Sequence, residues 1–245
     1  FPADHLIVGA QKFSKSVRSA IQIATKKKAL VTVGIQPHYP ATGYGYIQFN
    51  KKSSDSHLNA FTVKTFAEKP HKKLAARFLK SGDFLWNGGM FVWNVESFFR
   101  EISTHMPELN TQLLKIEKRV MDNKDFSRLW TRIEPDSIDY GLLEKTKNIY
   151  VVKAEFDWND LGSWNSIFDL SPKNKENNVI RGQGVVIDGS NNLIESKNQF
   201  TAIVGQSDLV VVSTDDATLV VERSRVEEVK RVIEFLEDSK NKKLL

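Results

Sequence analysis

The chain contains no cysteine, so neither a disulfide framework nor a thiolate metal site is possible, and a reducing compartment, the cytoplasm, is the expected location. No run of about 18 apolar residues occurs, and the N-terminus lacks the basic-then-apolar pattern of a secretory signal, so neither a membrane-spanning helix nor export is expected. An initiating methionine is missing too: the chain opens Phe1-Pro2-Ala3-Asp4-His5, which reads as the end of a buried strand running into a loop. The expectation is that a segment preceding Phe1 has been trimmed. The lysines lack interleaved aromatics for base stacking and lie dispersed or in short runs, such as Lys26-Lys27-Lys28 and residues 240–243. The net charge of +5 suits an anionic small substrate as well as it suits nucleic acid, and no nucleic-acid partner is expected.

What is present is ordinary globular usage. A chain of 245 residues with 40% hydrophobic and 27% charged side chains buries a real core, and ordinary domain sizes suggest a large domain with a small partner. Within 11–28, Phe13, Val17, Ala20, Ile21 and Ala24 recur at spacings of three and four, which lays one apolar stripe along a helix. A strand is expected at 29–35, and alternation at 46–49 and 60–66 predicts antiparallel or edge strands. Helices are expected at 71–81, 95–105, 109–121 and 126–132, with strand-like runs at 90–93 and 149–154. Such alternation predicts a three-layer α/β domain over residues 1–171 with a mixed, mostly parallel sheet. After the Asn-rich linker 172–178 come five short apolar runs, at 184–187, 192–195, 201–204, 208–212 and 217–221. They predict a small all-β domain over 172–245, a coiled or helical stack of short strands. An amphipathic helix at 225–236 should close it, packing Val226, Val229, Val232, Ile233 and Leu236 against the strands.

Several clusters carry chemistry. Asp4 follows a strand end, where open α/β sheets collect ligands, and is a candidate metal ligand; the alternative is a capping Asp. Pro40-Ala41-Thr42-Gly43-Tyr44-Gly45-Tyr46 combines glycines that admit close backbone approach with aromatics that stack on a ring, or is a plain turn. Glu68 and Lys69, in Phe66-Ala67-Glu68-Lys69-Pro70, pair an acceptor for hydroxyls with a cation for phosphate, or form an exposed ion pair of little energetic weight. Leu85-Trp86-Asn87-Gly88-Gly89-Met90-Phe91 reads as a turn presenting Asn87 and free N–H groups. In Phe156-Asp157-Trp158-Asn159-Asp160-Leu161-Gly162-Ser163-Trp164, Asp160 is a second carboxylate for an oxygen-rich magnesium site with Asp4, unless it caps a helix starting near Gly162.

Taken in order, Pro2-Ala3-Asp4-His5, Thr42-Gly43-Tyr44-Gly45-Tyr46, Phe66-Ala67-Glu68-Lys69-Pro70, Trp86-Asn87-Gly88-Gly89-Met90-Phe91, Ser137-Ile138-Asp139-Tyr140 and Trp158-Asn159-Asp160-Leu161-Gly162-Ser163-Trp164 strongly resemble bacterial mannose-1-phosphate guanylyltransferases. The likeness continues through Asp208-Leu209-Val210-Val211-Val212 and Asp216-Ala217-Thr218-Leu219-Val220 and so covers nearly the whole chain. It implies a Rossmann-like nucleotidyltransferase domain, a small C-terminal β-helix-like domain, Mg2+, and GTP and mannose 1-phosphate as substrates giving GDP-mannose and pyrophosphate. It further implies Asp4 and Asp160 as metal ligands and Gly43 and Tyr44 in a sugar-proximal loop. Glu68 is then the sugar-hydroxyl acceptor, Lys69 the sugar-phosphate cation, Asn87 with Gly88 a second sugar contact, and Asp139 a support. A homodimer is a family-based expectation. Members of this family open with a glycine-rich segment carrying an Arg and a Lys that wraps the triphosphate, and nothing here matches it. The chain as given is therefore expected to be inactive or weak alone, and the choice of base is not readable. A uridylyl- or thymidylyltransferase acting on glucose 1-phosphate, or a non-catalytic sugar-nucleotide-binding relative, are the alternatives; retention of Asp4, Lys69 and Asp160 speaks against the last.

Overall fold

In the computed structural model, residues 1–239 are described, with only the backbone of Ser54. The lysine run at 240–243 lies outside the described residues. The chain divides into two compact units, one of Phe1–Ala3 with Ile7–Trp158, the other of Asp4–Leu6 with the residues from Asn159 onward. That division falls ahead of the boundary at 171–172 read from composition.

The first unit is built from α1 (Ala10–Lys27), β2 (Leu30–Ile35), β3 (Tyr46–Asp55), β4 (Ala60–Ala67), α2 (Lys72–Ser81), β5 (Phe84–Val92), α3 (Val95–His105), α4 (Pro107–Met121), the short α5 (Ser127–Trp130), a π-helical turn (Asp139–Leu143) and β6 (Ile149–Lys153), together with all but the first residue of β1 (Leu6–Val8) and all but the last of β7 (Asp157–Asn159). Every residue of β2, Leu-Val-Thr-Val-Gly-Ile, is buried, as a continuous apolar run covered on both faces should be. Of the stripe read on α1, Ala20 and Ala24 pack against Val31, Ala60 and Val152, but Ile21 is exposed, and Ile23, outside the stripe, is the isoleucine that is buried. His71 and Asn94 cap α2 and α3 with side-chain acceptors.

The fold is α/β with a mixed sheet, but its parallel share is smaller than alternation suggested. The strands close into a barrel in the order β2-β5-β3-β4-β6. Of its pairings β2 with β6 is parallel, and the others are antiparallel. A parallel neighbour needs a crossover of about a dozen residues or more, and the short link 56–59 lets β4 return only as the second arm of a hairpin. One core cluster joins Leu30, Ile47, Leu85, Ile102, Leu142 and Ile149. A second joins Val33, Tyr46, Trp86, Met90 and Phe156, and it underlies the motif residues.

The second unit contains α6 (Trp164–Leu170), β8 (Val179–Ile187), β9 (Leu193–Val204), β10 (Leu209–Ser213), β11 (Thr218–Glu222), a 3₁₀ turn (Arg223–Glu228) and α7 (Val229–Asp238). β8, β9 and β10 lie parallel and stack Val179, Leu193 and Val210 in one register, while β11 returns antiparallel. This is the β-helix-like stack. The runs at 192–195 and 201–204 are halves of a single strand rather than separate ones. Gly182 bends the neighbouring strand with φ 97, at a spot where a Cβ would strike the Ser196 carbonyl oxygen. A buried asparagine ladder holds the turns together: Asn192 Nδ2 donates to Asn178 Oδ1 at 3.1 Å and to the Gln206 carbonyl at 2.9 Å, and Leu209 N donates to Asn192 Oδ1 at 2.9 Å. The terminal helix departs from expectation, since α7 buries none of its residues. Val226 in the preceding turn does so instead, packing with Phe168, Val179, Leu193 and Val210. Among the described residues no helix is long and apolar enough to cross a membrane.

Candidate functional site

The residues around Asn87 form strand rather than a turn. They lie inside β5, whose register against β2 shifts between Thr32 and Gly34. Extra residues on β5 make a bulge there, with Gly89 at φ 66. A Cβ on Gly88 would come within 2.9 Å of the Val33 carbonyl oxygen, so a side chain at this position is excluded by the strand beneath it. The bulge leaves Asn87 half-buried with its amide fully engaged on one side: Oδ1 accepts from Thr32 Oγ1 and from Gly89 N, each at 3.2 Å. Its Nδ2 donates to Asp139 Oδ1 at 3.0 Å.

Asp139 opens the π-helical turn, anchored by buried Gly141, Leu142 and Leu143, a distortion often found at functional sites. Burial pushes the Asp139 carboxyl above its ordinary pKa, with the Asn87 hydrogen bond working against the shift. Burial also raises Glu68, and the nearby Asp139 charge adds to that rise. Glu68 Oε2 is buried with no hydrogen-bond partner, at the place where a Cβ on Gly45 would sit. Lys69 Nζ stands 3.6 Å from Glu68 Oε1, and the two side chains differ sharply in exposure, 57% for Lys69 against 11% for Glu68. The pair is thus exposed at its lysine end and covered at its carboxylate end. Lys69 itself holds a left-handed φ of 44°, an uncommon conformation for a side chain of this size.

The loop before β3 is fastened by Tyr46, whose hydroxyl donates to the Ala41 carbonyl at 2.9 Å. Tyr44 meets Trp86 and Trp158 edge-on, with ring centroids 5.0 and 5.3 Å apart. Gly43 is exposed, and a Cβ there would meet nothing within 4 Å. Crowding by the protein therefore does not explain this glycine.

Glu68, Lys69, Asn87 and Asp139 are thus brought together in the first unit, while Asp4 and Asp160 fall in the second. Asp4 precedes β1 and Asp160 follows β7, and those two strands form a sheet of their own. Neither aspartate caps a helix: α1 is preceded by Gly9, and α6 is capped by the Ser163 side chain. Asp160 Oδ1 instead accepts from Gly162 N at 3.1 Å. Among the described residues no group of three or more His, Cys, Asp or Glu side chains is arranged to hold a metal. Each of the two carboxylates offers hard oxygen donors of the kind that suits magnesium. Thr32 was not singled out from the sequence, although a hydroxyl within an otherwise apolar buried strand was the available signal.

Residues 1–177 match the nucleotidyl transferase family, and residues 182–236 match the MannoseP isomerase/GMP-like β-helix domain. The chain is 36% identical over 98% of its length to a mannose-1-phosphate guanylyltransferase of Escherichia coli, covering 53% of that protein. Against one of Klebsiella pneumoniae it is 35% identical over 97% of its length, covering 51%. It thus spans about half the length of the curated relatives it matches. A crystal structure described as mannose-1-phosphate geranyltransferase from Thermus thermophilus superposes with a TM-score of 0.82 at 26% identity, over 97% of this chain and 68% of that one.

Proposed function

We propose that this chain, which belongs to the nucleotidyl transferase family, transfers the guanylyl group of GTP to mannose 1-phosphate, forming GDP-mannose and releasing pyrophosphate. One observation carries the sugar half of this reading: Glu68 Oε2 is buried without a donor, beside a lysine that reaches into solvent. A buried acceptor left unsatisfied costs about 1–3 kcal/mol. A sugar hydroxyl donating to it removes that cost, and Lys69 then meets the phosphate. Asn87 supplies a second polar contact, Asp139 supports Asn87, and Gly43 with Tyr44 borders the sugar. Gly88 contributes by its lack of a side chain, which lets β5 bulge over β2 and carry Asn87 outward.

The chemistry follows from the charges. A phosphate oxygen of mannose 1-phosphate attacks the α-phosphorus of GTP in line, and the bond from that phosphorus to the bridging oxygen of pyrophosphate breaks. The nucleophile is already anionic, so no general base is needed; the protein positions the two anions and neutralises their charge. Asp4 and Asp160 would hold Mg2+, which supplies neutralisation of phosphate charge when bound. Support for this pair is that neither carboxylate is used as a helix cap. The cysteine-free composition fits a cytoplasmic setting.

The test is pyrophosphate release by the natural protein from mannose 1-phosphate with each of GTP, UTP, dTTP and ATP, with and without magnesium. Release that requires magnesium, prefers GTP and falls at least about 100-fold in Asp160→Asn is expected. Preference for another nucleotide would move the chain to a sister transferase, and no release at all would leave it a binding protein.

A further inference from the structure

We infer that Thr32 is a positioning residue: its hydroxyl donates to Asn87 Oδ1 and holds in place an amide whose polarity Gly89 and Asp139 set, so that Asn87 offers the substrate an N–H and never a carbonyl oxygen. The inference rests on the reading of Asn87 as a sugar contact and assigns a role to a residue that makes no substrate contact itself.

The orientation of the amide is settled by its neighbours rather than by its shape. Amide oxygen and nitrogen are distinguished by the network around them. Gly89 N–H can only donate, and it points at one end of the amide at 3.2 Å. The Asp139 carboxylate, when ionised, can only accept, and it lies 3.0 Å from the other end. Turning the amide over would set donor against donor and acceptor against acceptor. With Oδ1 held toward Gly89, Thr32 Oγ1 at 3.2 Å must act as the donor. Both lone pairs of Oδ1 are then taken, and one of the two Nδ2 hydrogens is taken by Asp139. A single N–H remains for a ligand.

Thr32 is well suited to this task. It is completely buried in a strand fixed on both sides by β5 and β6. Its β-branched side chain has few χ1 choices, so the hydroxyl has little freedom to leave. The register shift between Thr32 and Gly34 is what brings Asn87 over it. Nearby Glu68 Oε2 provides the complementary group, an acceptor lacking a donor. The site thereby combines one free donor with, in ionised Glu68, one free acceptor, a match to a hydroxyl group that both accepts and donates. A fluorine or hydrogen in its place cannot match both.

The test compares Thr32→Val, Thr32→Ser and Asn87→Ala in the natural protein, reading kcat and the KM values for mannose 1-phosphate and for GTP by pyrophosphate release, with thermal midpoints alongside. Thr32→Val removes the hydroxyl at nearly constant shape, and the KM for mannose 1-phosphate is expected to rise about threefold to tenfold while that for GTP stays put. Thr32→Ser, which keeps the hydroxyl, should return it to within about twofold of the parent. On the Asn87→Ala background, Thr32→Val should add nothing further. Equal behaviour of the valine and serine variants, a change that falls on GTP as much as on the sugar, or full additivity with Asn87→Ala would each overturn the assignment. If Asn87→Ala alone leaves the sugar KM unchanged, the reading of Asn87 as a contact has failed and the inference falls with it. Should Thr32→Val not fold, Thr32→Ala serves in the same comparison.

Discussion

Replacing Gly45 with alanine strikes the site at its tightest point. A Cβ there would collide with Glu68 Oε2 and come within 3.3 Å of the Asn87 Cβ. Gly45 does not have a positive φ, so alanine meets no backbone strain, and reduced freedom of the unfolded chain contributes about 0.4–1 kcal/mol of stability. Overpacking costs about 1–3 kcal/mol where neighbours cannot give, but the colliding atom is the end of a flexible side chain. Glu68 swings toward solvent and escapes a burial that leaves its oxygen without a partner. The terms nearly cancel, and the thermal midpoint should move by no more than about 2–4 °C. Ligand binding does not enjoy that cancellation. A hydrogen bond to a charged acceptor contributes about 1.5–3 kcal/mol, so displacing Glu68 should weaken mannose 1-phosphate binding by about 10- to 150-fold. Calorimetric titration and thermal melts of the parent and the variant decide the matter. Unchanged affinity, or a midpoint lowered by more than about 8 °C, would refute the reasoning: the first because Glu68 would not matter, the second because the collision would be with the frame.

Two further outcomes follow from the same structure. The folded-state pKa of Glu68 is raised by burial and then by Asp139. The folded protein therefore holds that proton more readily than the unfolded chain does, and the penalty is full above the folded pKa and fades as pH falls through it. The parent should gain thermal midpoint relative to Glu68→Gln as pH is lowered from about 7 to about 5, and parallel curves would sink the idea. In the second unit, Asn192→Ala removes the acceptor of Leu209 N and the donor to the Gln206 carbonyl, both inside the stack. Urea unfolding should show a loss of at least about 3 kcal/mol, whereas a loss under about 1 kcal/mol would mean that water replaces the amide.

Much of the fold was legible because its signals are local. The span of α3 is the span its pattern predicts, and the stripe on α1 faces the core at Ala20 and Ala24. Closure of the sheet was not legible, because pairing of β3 with both β4 and β5 depends on residues far apart in the chain. Trp86-Asn87-Gly88-Gly89 suggested a turn since paired glycines usually make one. A bulge uses the same conformational freedom inside a strand, and only the partner strand distinguishes the two.

The sequence by itself determined the α/β class, the stacked strands of the second unit and the family, because apolar periodicity and ordered motifs are properties of the chain read in one dimension. Tertiary structure alone decided what the motif residues do to one another. Nothing in the order of residues tells that Thr32 meets Asn87, that Asn87 meets Asp139, or that Glu68 is buried without a donor. Hydrogen-bond polarity and desolvation arise only when distant segments exclude water together.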